Sequence, residues 1–457
     1  MIVFYVSWEL DLFVQERKYF LLAVSYFFYA TLDLKFLPIL ILSPLFNFGV
    51  GLLIGDLQDQ KIKKGLLAFG VGANLFLLAT FKYYDFFLEN ILNMAGSLGF
   101  HYAGTKPYLN LILPLGISFF TFQGISYLVD IYRGQLKSKN SLLDVLLFIS
   151  FFPHLVAGPI VKAAEFIPQL GKAVDRKNIP FVYASTLIVF GLFKKVVIAN
   201  YLGAELVDPV FESPSSFGAY DSWLAVYGYA VQIYCDFSAY SDMAIGFAAL
   251  LGYEFPVNFN QPYRAQSLQD FWRRWHISLS SWLRDYLFIS LGGSREGEKK
   301  TYRNLMITML LGGLWHGAHW NFILWGAMHG GGLAVERAYR KTPTLRWSQK
   351  ILWTLFTFHF VCLAWIFFRA SSFELATQLI TQLFDFSIRS QYTNAFFPIL
   401  IVIGMSLHFL PPLHKLHLPS WFSRLPQPAF LLLLGVCISL VAMLAPEGVP
   451  AFIYFRF

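Results

Sequence analysis

Long apolar runs separated by short polar breaks organise this chain from one end to the other. The runs fall at 19–32, 35–54, 65–83, 108–130, 142–161, 180–203, 222–250, 304–325, 350–369, 394–410 and 429–446. A helix needs about 20 apolar residues to cross a bilayer, so the pattern predicts about eleven transmembrane helices. The run 222–250 is long enough for a broken pair, and 320–340, with Gly326 and Gly330 to Gly332 as breaks, is a candidate further segment. Glycine inside a span is tolerated where neighbouring helices satisfy the freed backbone groups. The expected fold is all-α: a polytopic integral membrane protein forming one membrane domain over 1–457, with its chemistry between about 108 and 340.

Composition agrees. Hydrophobic residues make up 56% of the 457 and charged residues 14%, against about 25% charged in an ordinary soluble domain. The net charge of +8 does not indicate nucleic acid, because the basic residues cluster between apolar runs, where topology and lipid headgroups account for them. Lys61, Lys63 and Lys64, and then Arg133, Lys137 and Lys139, mark loops expected in the cytoplasm, whereas 84–107 carries a single Lys106 and is expected outside. The clusters Lys172, Arg176, Lys177, then Arg295, Lys299, Lys300, Arg303, and finally Arg337, Arg340, Lys341, Arg346, Lys350 fit the cytoplasmic face or amphipathic helices lying on it. Glu9, Asp11 and Glu16 precede the first basic residues, which does not match a secretory signal. Cys235, Cys362 and Cys437 are widely spaced and offer no disulfide framework.

One segment breaks the apolar pattern: Asp270-Phe-Trp-Arg-Arg-Trp-His-Ile-Ser-Leu-Ser-Ser-Trp-Leu-Arg-Asp285. Ionisable groups at membrane depth cost roughly 2.5–3.5 kcal/mol each on insertion scales, so they line cavities, pair, or take part in chemistry. Ser267 followed by Asp270 resembles a capping box and predicts a helix starting near Leu268. On that helix Asp270 can meet Arg273 or Arg274, and Trp272 can share a face with Trp275 or His276. An interfacial amphipathic helix with snorkelling arginines explains the same pattern equally well.

His276 is followed by Ser278, Ser280 and Ser281 rather than by lipid-facing bulk. His316 lies in Leu310-Leu-Gly-Gly-Leu-Trp-His-Gly-Ala-His319, with glycines at 312, 313 and 317 that let a substrate approach the ring closely. Imidazole, with an ordinary pKa of about 6.5, accepts a proton near neutral pH. It suits the task of activating a hydroxyl that attacks an acyl group. Zinc is the competing reading for His316, His319 and His329, but no HEXXH or cysteine pair completes such a site. No phosphate-binding glycine loop is present, which argues against ATP-driven transport.

The motifs extend this reading. Asn258 to Arg295, with Pro-Tyr-Arg-Ala, the charged run above and Leu-Gly-Gly-Ser-Arg, is followed by Leu-Gly-Gly-Leu-Trp-His316-Gly-Ala and Trp-Gly-Ala-Met-His329-Gly. Upstream stand Leu113 to Gln123, Phe152 to Ile160 and Gln232 to Gly246. Together they resemble the membrane-bound O-acyltransferase family, in the pattern of its alginate-type members, with departures at Cys235, Ala239 and Ser290. The resemblance implies catalytic roles for His316 and His276, and substrate contacts from Trp275, Arg273, Arg274, Asn321 and Asp270. It also implies helices around a central tunnel reaching both membrane faces. Arg273, Arg274 and Arg295 are then expected to meet the phosphates of a thioester donor.

The implied activity is transfer of an acetyl group from a cytoplasmic thioester, acetyl-CoA being the expected donor, to an extracytoplasmic polysaccharide such as alginate. Neither cofactor nor metal is required. An SGNH-type acetyltransferase is the implied partner, and a bacterial inner membrane the implied location. D-alanyl or peptidoglycan acyl transfer on the same frame is an alternative; a transporter or flippase for a lipid-linked glycan, its histidines relaying protons, is the reading from another class.

Overall fold

A computed structural model describes residues 2–100, 102, 104–138, 141–339, 346–410 and 426–445. Lys139, Arg340 and Lys341 of the basic clusters, and the last residue of the run 429–446, lie outside the described residues. Every regular element among the described residues is helical.

Helix boundaries depart from the apolar runs in instructive ways. Among the described residues, four helical stretches are long and apolar enough to cross a membrane: Val14–Asp56, Gln60–Lys82, Phe181–Glu212 and Trp347–Arg369. The first holds two of the expected segments, Val14–Asp33 and Leu37–Asp56, joined by the short turn Leu34–Phe36. Phe396–Ser406 and Gln427–Met443 are apolar but shorter. The run 108–130 is helical only from Ile117, after Gly116 takes a left-handed conformation. The run 142–161 stops at Ser150 before Pro153. Conversely, 222–250 is one unbroken helix, Ala219–Leu250.

The run 304–325 is not a single helix. It is split between Glu298–His316 and Trp320–Tyr339 by the turn at Gly317 to His319, and Gly326 and Gly330 to Gly332 lie inside the second helix without breaking it. The interval 84–107, expected as a loop, contains the helix Tyr84–Ser97.

The described residues form two compact units. The first comprises 1–179 with 248–255. Its centre is Ile117–Tyr132, in which every residue from Ile117 to Ile131 is buried. Gly124 lets this helix approach a pair of amides: a Cβ there would sit 2.6 Å from Asn47 Nδ2. Asn74 Nδ2 donates to Asn47 Oδ1 at 2.9 Å, and Asn47 Nδ2 donates back to Asn74 Oδ1 at 3.2 Å. In lipid, where apolar burial distinguishes little between states, such interhelical amide pairs act as glue. The buried Arg17 donates to Ser7 Oγ at 2.9 Å and to Tyr253 Oη at 3.1 Å, and Lys18 pairs with Asp144 at 2.6 Å.

The second unit comprises 180–247 with 256–457. Within it, Phe181–Glu212 contains two π-helical segments, Lys194–Ala199 and Gly203–Val207. The wider turn brings two successive lysines to the helix Ala219–Leu250: Lys194 reaches Asp242 at 2.6 Å and Ser238 Oγ at 2.7 Å, while Lys195 pairs with Asp236. Charges buried at this depth are stable only when paired. The same unit holds all the residues singled out from the sequence as candidates for chemistry.

Candidate active site

His316 is the last residue of Glu298–His316, and the extended backbone of Gly317 turns the chain into Trp320–Tyr339. The two helices pack backbone to backbone. A Cβ on Gly313 would collide with the carbonyl oxygen of Phe322, and one on Gly326 with that of Met309. No larger residue fits at either crossing without separating the helices. This close pairing fixes His316 beside Trp325, whose ring meets the imidazole edge-on at 5.2 Å between centroids. Trp315 and Phe368, each 5.1 Å away, complete an aromatic collar.

His316 is 5% exposed and lines a cavity of about 1070 Å³. Buried Gly312 and Trp325 share the wall with it, whereas the lining residues Arg273, Arg284, Arg337 and Lys350 are exposed. The cavity therefore runs from a cationic, wet side to an apolar end that holds an imidazole. A space of this size accommodates a drug-sized or larger ligand.

The charged run builds one wall. Ser267 Oγ accepts from Asp270 N at 3.0 Å, which starts the helix Leu268–Trp272 where the sequence places it. The second half of the expected capping box is different. Asp270 turns to Arg274, 2.8 Å away, and to Gln266 N, and the adjoining Leu268 N donates instead to Glu336 Oε2 at 2.7 Å. Of the two possible partners for Asp270, Arg274 wins, and Arg273 is left facing the cavity. Arg284, on the same wall, donates from Nε to Asp285 Oδ1 at 2.6 Å, and that hydrogen bond holds the guanidinium above its ordinary pKa.

His276 lies behind the wall rather than on it. Its backbone is left-handed, with φ 43° and ψ 55°, and it stands at the start of Ile277–Trp282, four residues after Leu268–Trp272 ends. For a non-glycine residue this conformation costs of order 1–3 kcal/mol. The surroundings hold it there. Ile277 N donates to the Asn258 carbonyl at 2.9 Å, and Asn260 N to the Arg274 carbonyl at 2.9 Å. The imidazole is fully buried, Phe237 standing edge-on at 4.6 Å and Trp315 at 6.3 Å.

The remaining residues divide plainly. Arg273, Asp270 and His316 line the cavity. Arg274 reaches it only through Asp270. Trp275 is buried in an aromatic stack on Phe271, 5.6 Å away, and against Trp365 at 5.0 Å. Asn321 Nδ2 donates to the Ala370 carbonyl at 2.9 Å, tying its helix to the end of Trp347–Arg369. Arg295 is exposed and outside the cavity lining. His329 is buried across Trp325 from His316, 4.8 Å from the indole. Among the described residues no three His, Cys, Asp or Glu side chains gather as a metal site would require.

Sequence reasoning passed over Trp325, Glu336 and Asn258. Trp325 carries the helical spacing of an ordinary buried residue. Glu336 is remote from the helix start it caps, and no local pattern reveals it. Asn258 stood in an irregular lead-in whose Asn-Phe-Asn was a signal of side-chain hydrogen bonding to nearby backbone.

Comparison with known proteins identifies the family. The pattern of the MBOAT, membrane-bound O-acyltransferase family, matches residues 134–377, which include both histidines and the whole charged run. The protein named "Probable alginate O-acetylase AlgI" of Azotobacter vinelandii is 42% identical over 375 residues, covering 81% of this chain and 73% of its own. The peptidoglycan O-acetyltransferase of Helicobacter pylori is 43% identical over 394 residues, covering 79% of this chain and 73% of its own. The teichoic acid D-alanyltransferase of Bacillus subtilis is 31% identical over 291 residues, covering 59% and 71%. With a buried histidine at the end of a cationic cavity and its motifs inside the matched region, the chain belongs to the membrane-bound O-acyltransferase family and is an acyltransferase.

Proposed function

We propose that the protein takes an acetyl group from a cytoplasmic thioester, acetyl-CoA, and passes it across a bacterial inner membrane for O-acetylation of an extracytoplasmic polysaccharide such as alginate. The observation that carries this reading is His316 at the apolar end of a cavity whose other lining residues include four exposed cations. A donor bearing phosphates and a thioester matches both ends. The names of the relatives support an O-acetyl group and a glycan acceptor. An SGNH-type acetyltransferase is the proposed partner outside the membrane. The acceptor hydroxyl then belongs either to that partner or to the glycan, reached through a tunnel continuing the cavity.

In the proposed reaction His316 accepts the proton of the acceptor hydroxyl as its oxygen bonds to the thioester carbonyl. The tetrahedral intermediate collapses, the carbon–sulfur bond breaks, and the thiolate leaves as a thiol by taking the proton back from the imidazolium. Acid–base help of this kind is worth roughly 10²–10⁴ in rate. Arg273, Arg337 and Lys350 are the proposed donor contacts, with Asp270 and Arg274 holding the Arg273 segment in place. Trp275 and Asn321 act in this reading as packing and tethering groups.

The test is purified protein in liposomes with acetyl-labelled acetyl-CoA and a candidate SGNH partner, wild type against His316→Ala. Label transfer that disappears in the variant at equal amounts of folded protein supports the reading. Equal turnover in both, or turnover in neither while a lipid-linked glycan is moved, removes it.

A further inference from the structure

The tautomer of His276 can be read from its neighbours. Asn258 is 1% exposed, and its Oδ1 lies 3.1 Å from Ser278 N, 2.9 Å from Ser278 Oγ and 3.1 Å from His276 Nδ1. A backbone N–H can only donate, so the amide atom facing Ser278 N is the oxygen, and the side chain cannot be flipped. The other end of the amide is compatible with this choice: Nδ2 donates at 2.9 Å to Ser241 Oγ, a hydroxyl that can accept as well as donate. An amide oxygen can only accept. His276 Nδ1 therefore carries the hydrogen, and Nε2 carries the lone pair. Nε2 is buried and has no hydrogen-bond partner among the described residues.

We propose that Asn258 is a positioning residue for acyl transfer: it locks His276 as the Nδ1–H tautomer and leaves Nε2 as an acceptor for a hydroxyl or water.

The constraint is built from several elements. Ser241 lies on Ala219–Leu250, four residues after Phe237, which stands edge-on to the imidazole. Lys194 and Lys195 grip the same helix at Asp242 and Asp236, on either side of Phe237 and Ser241. The left-handed backbone of His276 fixes the ring root, and the amide fixes its rotation. Phe237, Phe259, Trp315, Asn258 and Ser278, which stand around the ring, carry no charge, and the hydrogen bond to Asn258 sets the tautomer. A second partner that dictates which nitrogen stays basic is how histidines are prepared for chemistry elsewhere.

The inference rests on the proposed acyl transfer, to which it adds a role for His276, and its test separates the two. Nitrogen-15 spectra of histidine-labelled protein in liposomes, with the His276 signals assigned by difference against His276→Asn, report the tautomer directly. The wild type is expected to show a protonated, pyrrole-type Nδ1 and a pyridine-type Nε2. In Asn258→Leu the tautomer should become mixed, and kcat should fall at least about 10-fold, within the roughly 10²–10⁴ that acid–base help supplies, while KM for the donor stays unchanged. Asn258→Asp keeps an acceptor for both Ser278 N and Nδ1. It should restore the pyrrole-type Nδ1 and part of kcat, with the acid limb of the rate profile moved to higher pH by the carboxylate's attraction for the imidazolium.

A wild-type Nε2–H tautomer, an unaltered tautomer in Asn258→Leu, or an altered tautomer with unchanged kcat each overturns the proposal. A misfolded Asn258→Leu leaves the wild-type spectrum and Asn258→Asp to decide. Activity surviving His316→Ala would instead break the functional reading, while the tautomer measurement stands independently.

Discussion

Trp325 meets His316 edge to face, their ring planes 85° apart and their centroids 5.2 Å apart. This contact limits rotation of the imidazole at the end of its helix, and it closes the apolar part of the cavity. Trp325→Phe should keep the wall and most of the transfer rate. Trp325→Ala should cost about 3–5 kcal/mol of stability as a large-to-small core change, read as a lowered thermal midpoint, and should slow transfer even where the protein stays folded.

His276→Asn is expected to lower the acetyl-transfer rate yet keep measurable turnover, because His316 alone lines the cavity. The comparison is single-turnover rate against His316→Ala, for which no transfer is expected. Equal loss in both variants would show that the two histidines act as one unit.

Arg273 faces the cavity, whereas Arg274 is held by Asp270. Arg273→Ala should raise KM for the thioester donor with little change in kcat, and the gap between variant and wild type should shrink at high salt. Arg274→Ala should act through the fold instead, loosening the wall. This i, i+4 pair is half-buried, and pairs at that spacing contribute about 0.3–0.5 kcal/mol.

Gly326 is a position where the structure permits no side chain, since a Cβ would meet the Met309 carbonyl. Gly326→Ala should push Glu298–His316 and Trp320–Tyr339 apart, cost about 1–3 kcal/mol as overpacking, and reduce transfer by displacing His316. Gly331, whose added Cβ meets nothing within 4 Å, is the control: Gly331→Ala should be close to neutral.

The amides Asn47 and Asn74 offer a measurement away from the site. A double-mutant cycle with Leu at both positions should yield a coupling near the roughly 0.6 kcal/mol average for interhelical hydrogen bonds in membranes. Each single variant should be worse than the double, because it leaves one amide without its partner.

How much of this was legible in the sequence follows from which interactions are local. Ser267 and Asp270 announced a helix start, and the start is at Leu268, because a cap needs only three residues of chain. The partner for Asp270 was narrowed to two arginines but not chosen, since positions i+3 and i+4 lie on the same helix face. Runs of apolar residues located the helices yet misjudged their ends at Gly116, Pro153 and Gly317, where backbone conformation overrides hydropathy. His316 stood out because glycines surrounded it in sequence. Trp325, Asn258 and Glu336 did not, because what makes each of them matter is a neighbour far along the chain.

The two glycine crossings between Glu298–His316 and Trp320–Tyr339 divide the labour of the cavity. The imidazole is located by main chain pressed on main chain, while the opposite walls are built from side chains of separate elements. Those walls can be reshaped, residue by residue, to admit a different acyl group or acceptor while the imidazole stays where it is. A designer seeking new acyl specificity should therefore treat the helical hairpin as the anvil and confine substitutions to the faces that move against it.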